Sequence, residues 1–194
     1  MSDYLEGIDL TKMIAGRNLY LIGMMGSGKS STGPLLAKAL NYGFVDADDV
    51  LEKAAKKSIS EIFANDGEDN FRENETKVLK SIGQHYSLVI ATGGGIVIRS
   101  ENWGVLHQGI VIWLDPGRER LLRRLQSDLI KRPLIDKSDP IEVFDSLYIK
   151  REPLYQQADL RIPIGDESPE VVVQKILSAI PSIIYITLSF SISA

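Results

Sequence analysis

Leu19-Tyr20-Leu21-Ile22-Gly23-Met24-Met25-Gly26-Ser27-Gly28-Lys29-Ser30 joins an apolar run to a glycine-rich loop of the form G-x-x-x-x-G-K-[ST]. The four apolar residues read as a buried strand, and Leu35, Leu36, Ala39 and Leu40 beyond the loop carry helical spacing. A strand, a glycine turn and a helix in that order make a phosphate cradle. The glycines let successive backbone N–H groups converge on phosphate oxygens, Lys29 neutralises charge on the β and γ groups, and the Ser30 hydroxyl is a ligand for Mg²⁺. The loop predicts a nucleoside triphosphate site.

Outward from this unit, short apolar runs alternate with longer helical patterns. Strands are expected at Asn18 to Ile22, Gly43 to Val45, Ser87 to Ala91, Ile110 to Leu114 and Leu160 to Pro163. The alternation predicts an α/β domain, a parallel sheet covered by helices. Pro34 falls inside the helix that starts at the loop, where it removes a backbone bond and is expected to bend the axis. The last helix is expected to start near Ser168-Pro169-Glu170 and to stop near Ile180-Pro181. Beyond it, Ile184, Ile186, Leu188, Phe190 and Ile192 alternate with Tyr185, Thr187, Ser189, Ser191 and Ser193, a strand period read as a dispensable tail over 182–194.

Composition bounds the function. The chain has 194 residues, enough for one sizeable domain, and a formal net charge of −4 that argues against a general nucleic-acid binder. There is no cysteine, hence neither a disulfide framework nor a thiol nucleophile. His85 and His107 have no second ligand at helical spacing and read as ordinary surface or packing residues. Met1 to Glu6 lacks the regions of a signal peptide and no apolar run approaches membrane-spanning length, so a cytoplasmic protein without a membrane partner is expected.

Three further stretches carry chemistry. Asp46 and Asp48 in Phe44-Val45-Asp46-Ala47-Asp48 stand at the end of a strand, where open α/β sheets place their ligands. One carboxylate can serve a metal while the other orients a substrate hydroxyl and accepts its proton; the alternative is helix capping. Arg72 sits between Glu68 and Glu75 at helical spacing, as a surface ion-pair ladder or as an arginine oriented to grip an anionic substrate. Thr92-Gly93-Gly94-Gly95 follows an apolar strand, and three glycines there imply close approach of a ligand or of another segment.

Taken in order, the phosphate loop, D-x-D, Ser58-Ile59-Ser60-Glu61-Ile62-Phe63, the G-E-x-x-F-R-x-x-E stretch from Gly67 to Glu75, T-G-G-G, Arg132-Pro133-Leu134 and Arg151-Glu152-Pro153-Leu154-Tyr155 make the chain resemble the shikimate kinase family from about Asn18 to Ile180. The resemblance implies a three-layer α/β/α P-loop kinase fold with a five-stranded parallel sheet and a mobile lid. It implies a single domain over 1–181, an acceptor-binding region near 46–77 and a lid near 124–136. The reaction implied is transfer of the γ-phosphate of ATP to the 3-hydroxyl of shikimate, with one Mg²⁺ per subunit, in a monomeric enzyme of aromatic amino acid synthesis.

Carried over residue by residue, the resemblance makes Lys29 the phosphate lysine, Ser30 and Asp46 the Mg²⁺ side, and Asp48 the hydroxyl-binding base. Arg72, Arg151 and the Gly94 backbone hold shikimate; Gly26, Ser27, Gly28, Lys29, Ser30 and Ser31 hold ATP. Arg132 becomes the lid arginine at the phosphates. The arginine against adenine is Arg123 or Arg124, with Arg124 favoured. No arginine or glutamine of the adenine pocket of some relatives stands near Gly165-Asp166-Glu167. Two other readings are a sibling small-molecule kinase of the gluconate type, which the Arg72, Gly94 and Arg151 set disfavours, and a catalytically silent nucleotide-binding relative, which intact Lys29, Ser30, Asp46, Asp48 and Arg132 disfavour.

Overall fold

The structure, a computed structural model, describes residues 10–127 and 140–192. Five strands, β1 (Leu19–Ile22), β2 (Gly43–Asp46), β3 (Leu88–Ala91), β4 (Ile110–Asp115) and β5 (Leu160–Pro163), form one sheet in the order β2-β3-β1-β4-β5. Every pairing is parallel. The helices are α1 (Leu10–Ile14), α2 (Lys29–Leu40), α3 (Ala47–Ala55), α4 (Ile59–Ile82), α5 (Ser100–Leu106), α6 (Arg118–Ser127), α7 (Pro140–Tyr155) and α8 (Pro169–Ile192). Each expected strand is present. β1 and β3 begin one residue later than expected, β3 because Ser87 turns the chain at φ 58°, and β2 and β4 extend one residue further.

Alternate strand residues serve opposite cores. Leu19, Leu21, Ile110, Ile112 and Leu114 pack with residues of α2 and α8 on one face. Tyr20, Ile22, Val111 and Trp113 pack with residues of α4, α5 and α7 on the other. Strands buried on both faces need apolar side chains at nearly every position, which is why the central β1 and β4 read as apolar runs, whereas the edge strand β5 alternates, with Arg161 and Pro163 exposed. The order also separates β3 and β4 on either side of β1, leaving the loop after β1 at the point where the chain reverses direction across the sheet.

Local signals set the helix starts. Ser58 and Glu61 form a reciprocal capping box at α4: the Ser58 hydroxyl accepts from the Glu61 N–H at 3.2 Å, and a Glu61 carboxylate oxygen accepts the Ser58 N–H at 2.8 Å. The S-x-x-E of this stretch is therefore a structural signal. α2 continues through the exposed Pro34 to Leu40.

The C-terminal segment is a correction. α8 does not stop near Pro181 but runs through it to Ile192, so Ile184–Ile192 is helix rather than strand. A period of two contains every i, i+4 pair, so alternation did not exclude a helix. Val172, Ile176, Ile180 and Ile184 form one such row and are buried in the same core, Ile184 at 7% exposure. The Ser182 hydroxyl donates to the Ala179 carbonyl at 2.7 Å just past the proline. Among the described residues, no helix is long and apolar enough to cross a membrane.

Candidate active site

The ends of β1, β2 and β3 deliver three loops to one place. In the phosphate loop, Lys29 is 8% exposed and its Nζ donates to the carbonyls of Gly23 at 2.8 Å and Met24 at 3.0 Å, and to Ser27 Oγ at 3.3 Å. The ammonium is folded over its own loop, where incoming phosphate oxygens can take over its bonds. The Ser30 hydroxyl donates to Asp46 Oδ2 at 2.8 Å, while Asp46 Oδ1 accepts the Asp48 N–H at 3.1 Å. Asp46 thus caps α3 and faces Ser30 with the same carboxylate, so capping does not take Asp46 away from Ser30. A hydroxyl and a carboxylate in contact at the start of α2 supply hard oxygen donors and leave the remaining positions of an octahedron to phosphates and water, which fits Mg²⁺.

Asp48 lies in the first turn of α3, at the junction of two cavities. One, about 480 Å³, is lined by the phosphate loop, Asp46 and Arg124. The other, about 230 Å³, has an apolar wall of Ile59, Phe63 and Phe71 and a polar end of Arg72, Glu75 and Arg151. Met25, Asp48 and Gly94 line both. Burial, then the Asp46 and Glu75 carboxylates, raise the Asp48 carboxyl to about 6, against the pull of Lys29.

Arg72 is not part of a surface ladder. It is 6% exposed; its guanidinium donates to Glu75 at 2.8 Å and to Glu68 at 3.2 Å, and it stands 5.0 Å from the Phe71 ring centroid. Glu75 is itself buried, which raises its carboxyl despite Arg72, and its Oε1 has no hydrogen-bond partner among the described residues. Arg151, 2% exposed, approaches from α7. Burial and the neighbouring Arg72 cation lower its pKa, and its Nε has no hydrogen-bond partner among the described residues.

The glycine run is what lets these groups meet. A Cβ at Gly93 would stand 2.7 Å from Glu75 Oε1 and 2.9 Å from Asp48 Oδ1, and one at Gly95 would collide with the Arg72 guanidinium. A Cβ at Gly94 would stand 3.6 Å from Arg151 Nη1.

The half-buried Arg124, rather than the exposed Arg123, reaches the phosphate side: it donates to the Gly26 carbonyl at 3.0 Å and to that of Gly165 at 3.3 Å. The backbone of the Gly165 turn takes part where no side chain was expected to. Arg132 and the lid beyond residue 127 lie outside the described residues. His107 tilts against Trp103 at 5.0 Å, a packing role, and no metal-holding group of three acidic, histidine or cysteine side chains occurs among the described residues. Sequence reasoning gave no role to Met25, to Glu75 beyond its flanking position, or to Tyr155. Glu75 was legible as i+3 from Arg72 and Tyr155 as i+4 from Arg151, but neither spacing reports burial.

Comparison with known proteins places these features in a family. The model of the family described as Shikimate kinase matches residues 25–181. A Shikimate kinase of Prochlorococcus marinus is 59% identical over 174 residues, covering 89% of this chain and 92% of the relative. One from a Synechococcus species is 54% identical over 175 residues, 90% of this chain and 88% of the relative. Among solved structures, the shikimate kinase of Acinetobacter baumannii in complex with shikimate superposes with a TM-score of 0.83 at 35% identity, over 89% of this chain and 97% of that one. A gluconokinase of Sinorhizobium meliloti, at 15% identity and a TM-score of 0.58 over 91% of this chain and 97% of that one, shares the fold alone.

Proposed function

The chain belongs to the shikimate kinase family, and from that premise we propose that it transfers the γ-phosphoryl group of ATP to the 3-hydroxyl of shikimate, giving 3-phosphoshikimate and ADP on the route to chorismate and the aromatic amino acids. The observation that carries this reading is the shape of the acceptor cavity: it starts at Asp48, beside the phosphate loop, and ends at two buried arginines, one with an Nε unpartnered among the described residues. A ring carrying a carboxylate at one end and a hydroxyl at the other satisfies both ends at once. The apolar wall of Ile59, Phe63 and Phe71 suits the face of a carbocycle.

In this mechanism Arg72 and Arg151 bind the carboxylate by charge-assisted hydrogen bonds, with Gly94 contributing backbone contact. Asp48 orients the 3-hydroxyl and takes its proton as the oxygen bonds to the γ-phosphorus and the bond from that phosphorus to the bridging oxygen of ADP breaks. Lys29 and the N–H groups of Gly26 to Ser31 hold the phosphates, Arg124 flanks the nucleotide, and Arg132 is assigned to the transferring group on the family pattern. Ser30 and, through water, Asp46 would hold one Mg²⁺, which when bound with ATP neutralises the phosphate charge. A monomer acting in the cytoplasm is the assembly and location that go with this reading.

ADP release from Mg²⁺-ATP by the purified protein tests it, with shikimate, gluconate and no acceptor run in parallel. Turnover that needs shikimate, at roughly 1 to 1000 per second, is expected. Turnover with gluconate would move the protein to a sibling activity, and nucleotide binding without either turnover would make it a silent relative.

A further inference from the structure

Tyr155, the last residue of α7, takes no part in the chemistry above, yet it reaches the glycine loop from the helix that carries Arg151. Its side chain is 1% exposed, and its hydroxyl donates to the Gly94 carbonyl at 2.5 Å. A buried phenol needs such a partner. The three successive glycine carbonyls are held differently: that of Gly93 accepts the Ile96 N–H at 3.2 Å and that of Gly95 the Ile98 N–H at 3.0 Å, both turn bonds within the loop. The Gly94 carbonyl is held by a side chain from a distant helix. A glycine peptide has no side chain of its own to fix its plane, so an outside anchor decides its orientation.

The anchor is rigid. The Tyr155 ring stacks on Trp113 of β4 with centroids 5.8 Å apart, and the Arg161 guanidinium stands 4.7 Å from the Trp113 centroid while pairing with Asp115 at 2.6 Å. Arg151 lies one helical turn before Tyr155, and its Nη1 stands 3.6 Å from where a Cβ on Gly94 would be. The Tyr155 hydroxyl and the Arg151 guanidinium thus meet the same glycine peptide from one helix, the hydroxyl donating a hydrogen bond to its carbonyl. Burial pushes this phenol well above its ordinary range, so it stays a donor at any working pH.

We infer that Tyr155 is a positioning residue for the acceptor side of the active site: its hydroxyl anchors the Gly94 peptide beside the Arg151 guanidinium, and this fixes the geometry offered to an anionic acceptor. The inference rests on the acceptor reading proposed above. Tyr155→Phe removes one oxygen and keeps the ring stack, so the variant is expected to melt within a few degrees of the unmodified protein. With both proteins assayed on shikimate and ATP, the KM for shikimate is expected to rise about threefold to tenfold in the variant while that for ATP changes by less than about twofold. Unchanged constants, equal rises in both, or a fall in kcat alone would overturn the inference. Absence of shikimate turnover in the unmodified protein would instead overturn the acceptor reading beneath it.

Discussion

At the scale of single residues, the site concentrates charges that burial makes expensive. Asp48 titrates near 6 instead of in the ordinary carboxylate range. The folded protein therefore binds more protons than the unfolded chain between about pH 4 and 6, so this group makes folding less favourable as pH rises through that window. Asp48→Asn is expected to raise the melting temperature at pH 7.5 and to leave it nearly unchanged at pH 4. The same substitution should leave ATP binding nearly intact and lower phosphoryl transfer by about two to four orders of magnitude. In the unmodified protein kcat/KM for the acceptor should fall below about pH 6; near-normal turnover in the asparagine variant would remove Asp48 from the mechanism. Arg72 and Glu75 form a buried pair at 2.8 Å, and removing one partner strands the other's charge. Arg72→Ala is expected to cost about 3 kcal/mol of stability and to raise the shikimate KM far more than that of ATP. Adding Glu75→Gln should restore most of the stability and none of the affinity, a pattern that denaturant melts and steady-state kinetics read together.

At the scale of elements, α4 is two helical pieces joined at Gly67, whose φ 82° and ψ 168° belong to a region that only glycine enters freely. One piece carries Ile59 and Phe63, the other Phe71, Arg72 and Glu75, so the angle at Gly67 sets how the apolar wall faces the arginine. A Cβ there would meet nothing within 4 Å, which makes the cost of substitution purely conformational. Gly67→Ala is expected to destabilise by about 1 to 3 kcal/mol and to raise the shikimate KM without changing that of ATP, as thermal melting and kinetics would show. The G-E at this point was legible as a motif. Its left-handed backbone was not, because residue spacing carries no dihedral information at an isolated glycine.

At the scale of the whole molecule, α8 closes one face of the sheet, and its row of Val172, Ile176, Ile180 and Ile184 reaches past Pro181 into the core. Truncation after Pro181 should cost about 2 kcal/mol through the loss of Ile184, whereas truncation after Ile184 should leave the melting temperature and turnover nearly unchanged. A large loss in the second case would end the view of the later residues as dispensable. Sequence alone determined the five strands, the strand–glycine loop–helix unit and the start of α8, because apolar runs, glycine turns and capping residues act over a few positions. Tertiary structure decided what range could not convey: the order β2-β3-β1-β4-β5, the burial of Arg72 beside Glu75, the contact of Arg124 with the Gly26 and Gly165 carbonyls, the helical fate of the alternating tail, and the tie from Tyr155 to Gly94. Each depends on which distant segment supplies the neighbour, and the dielectric, the packing partner and the hydrogen-bond acceptor at a residue exist only once those segments are brought together.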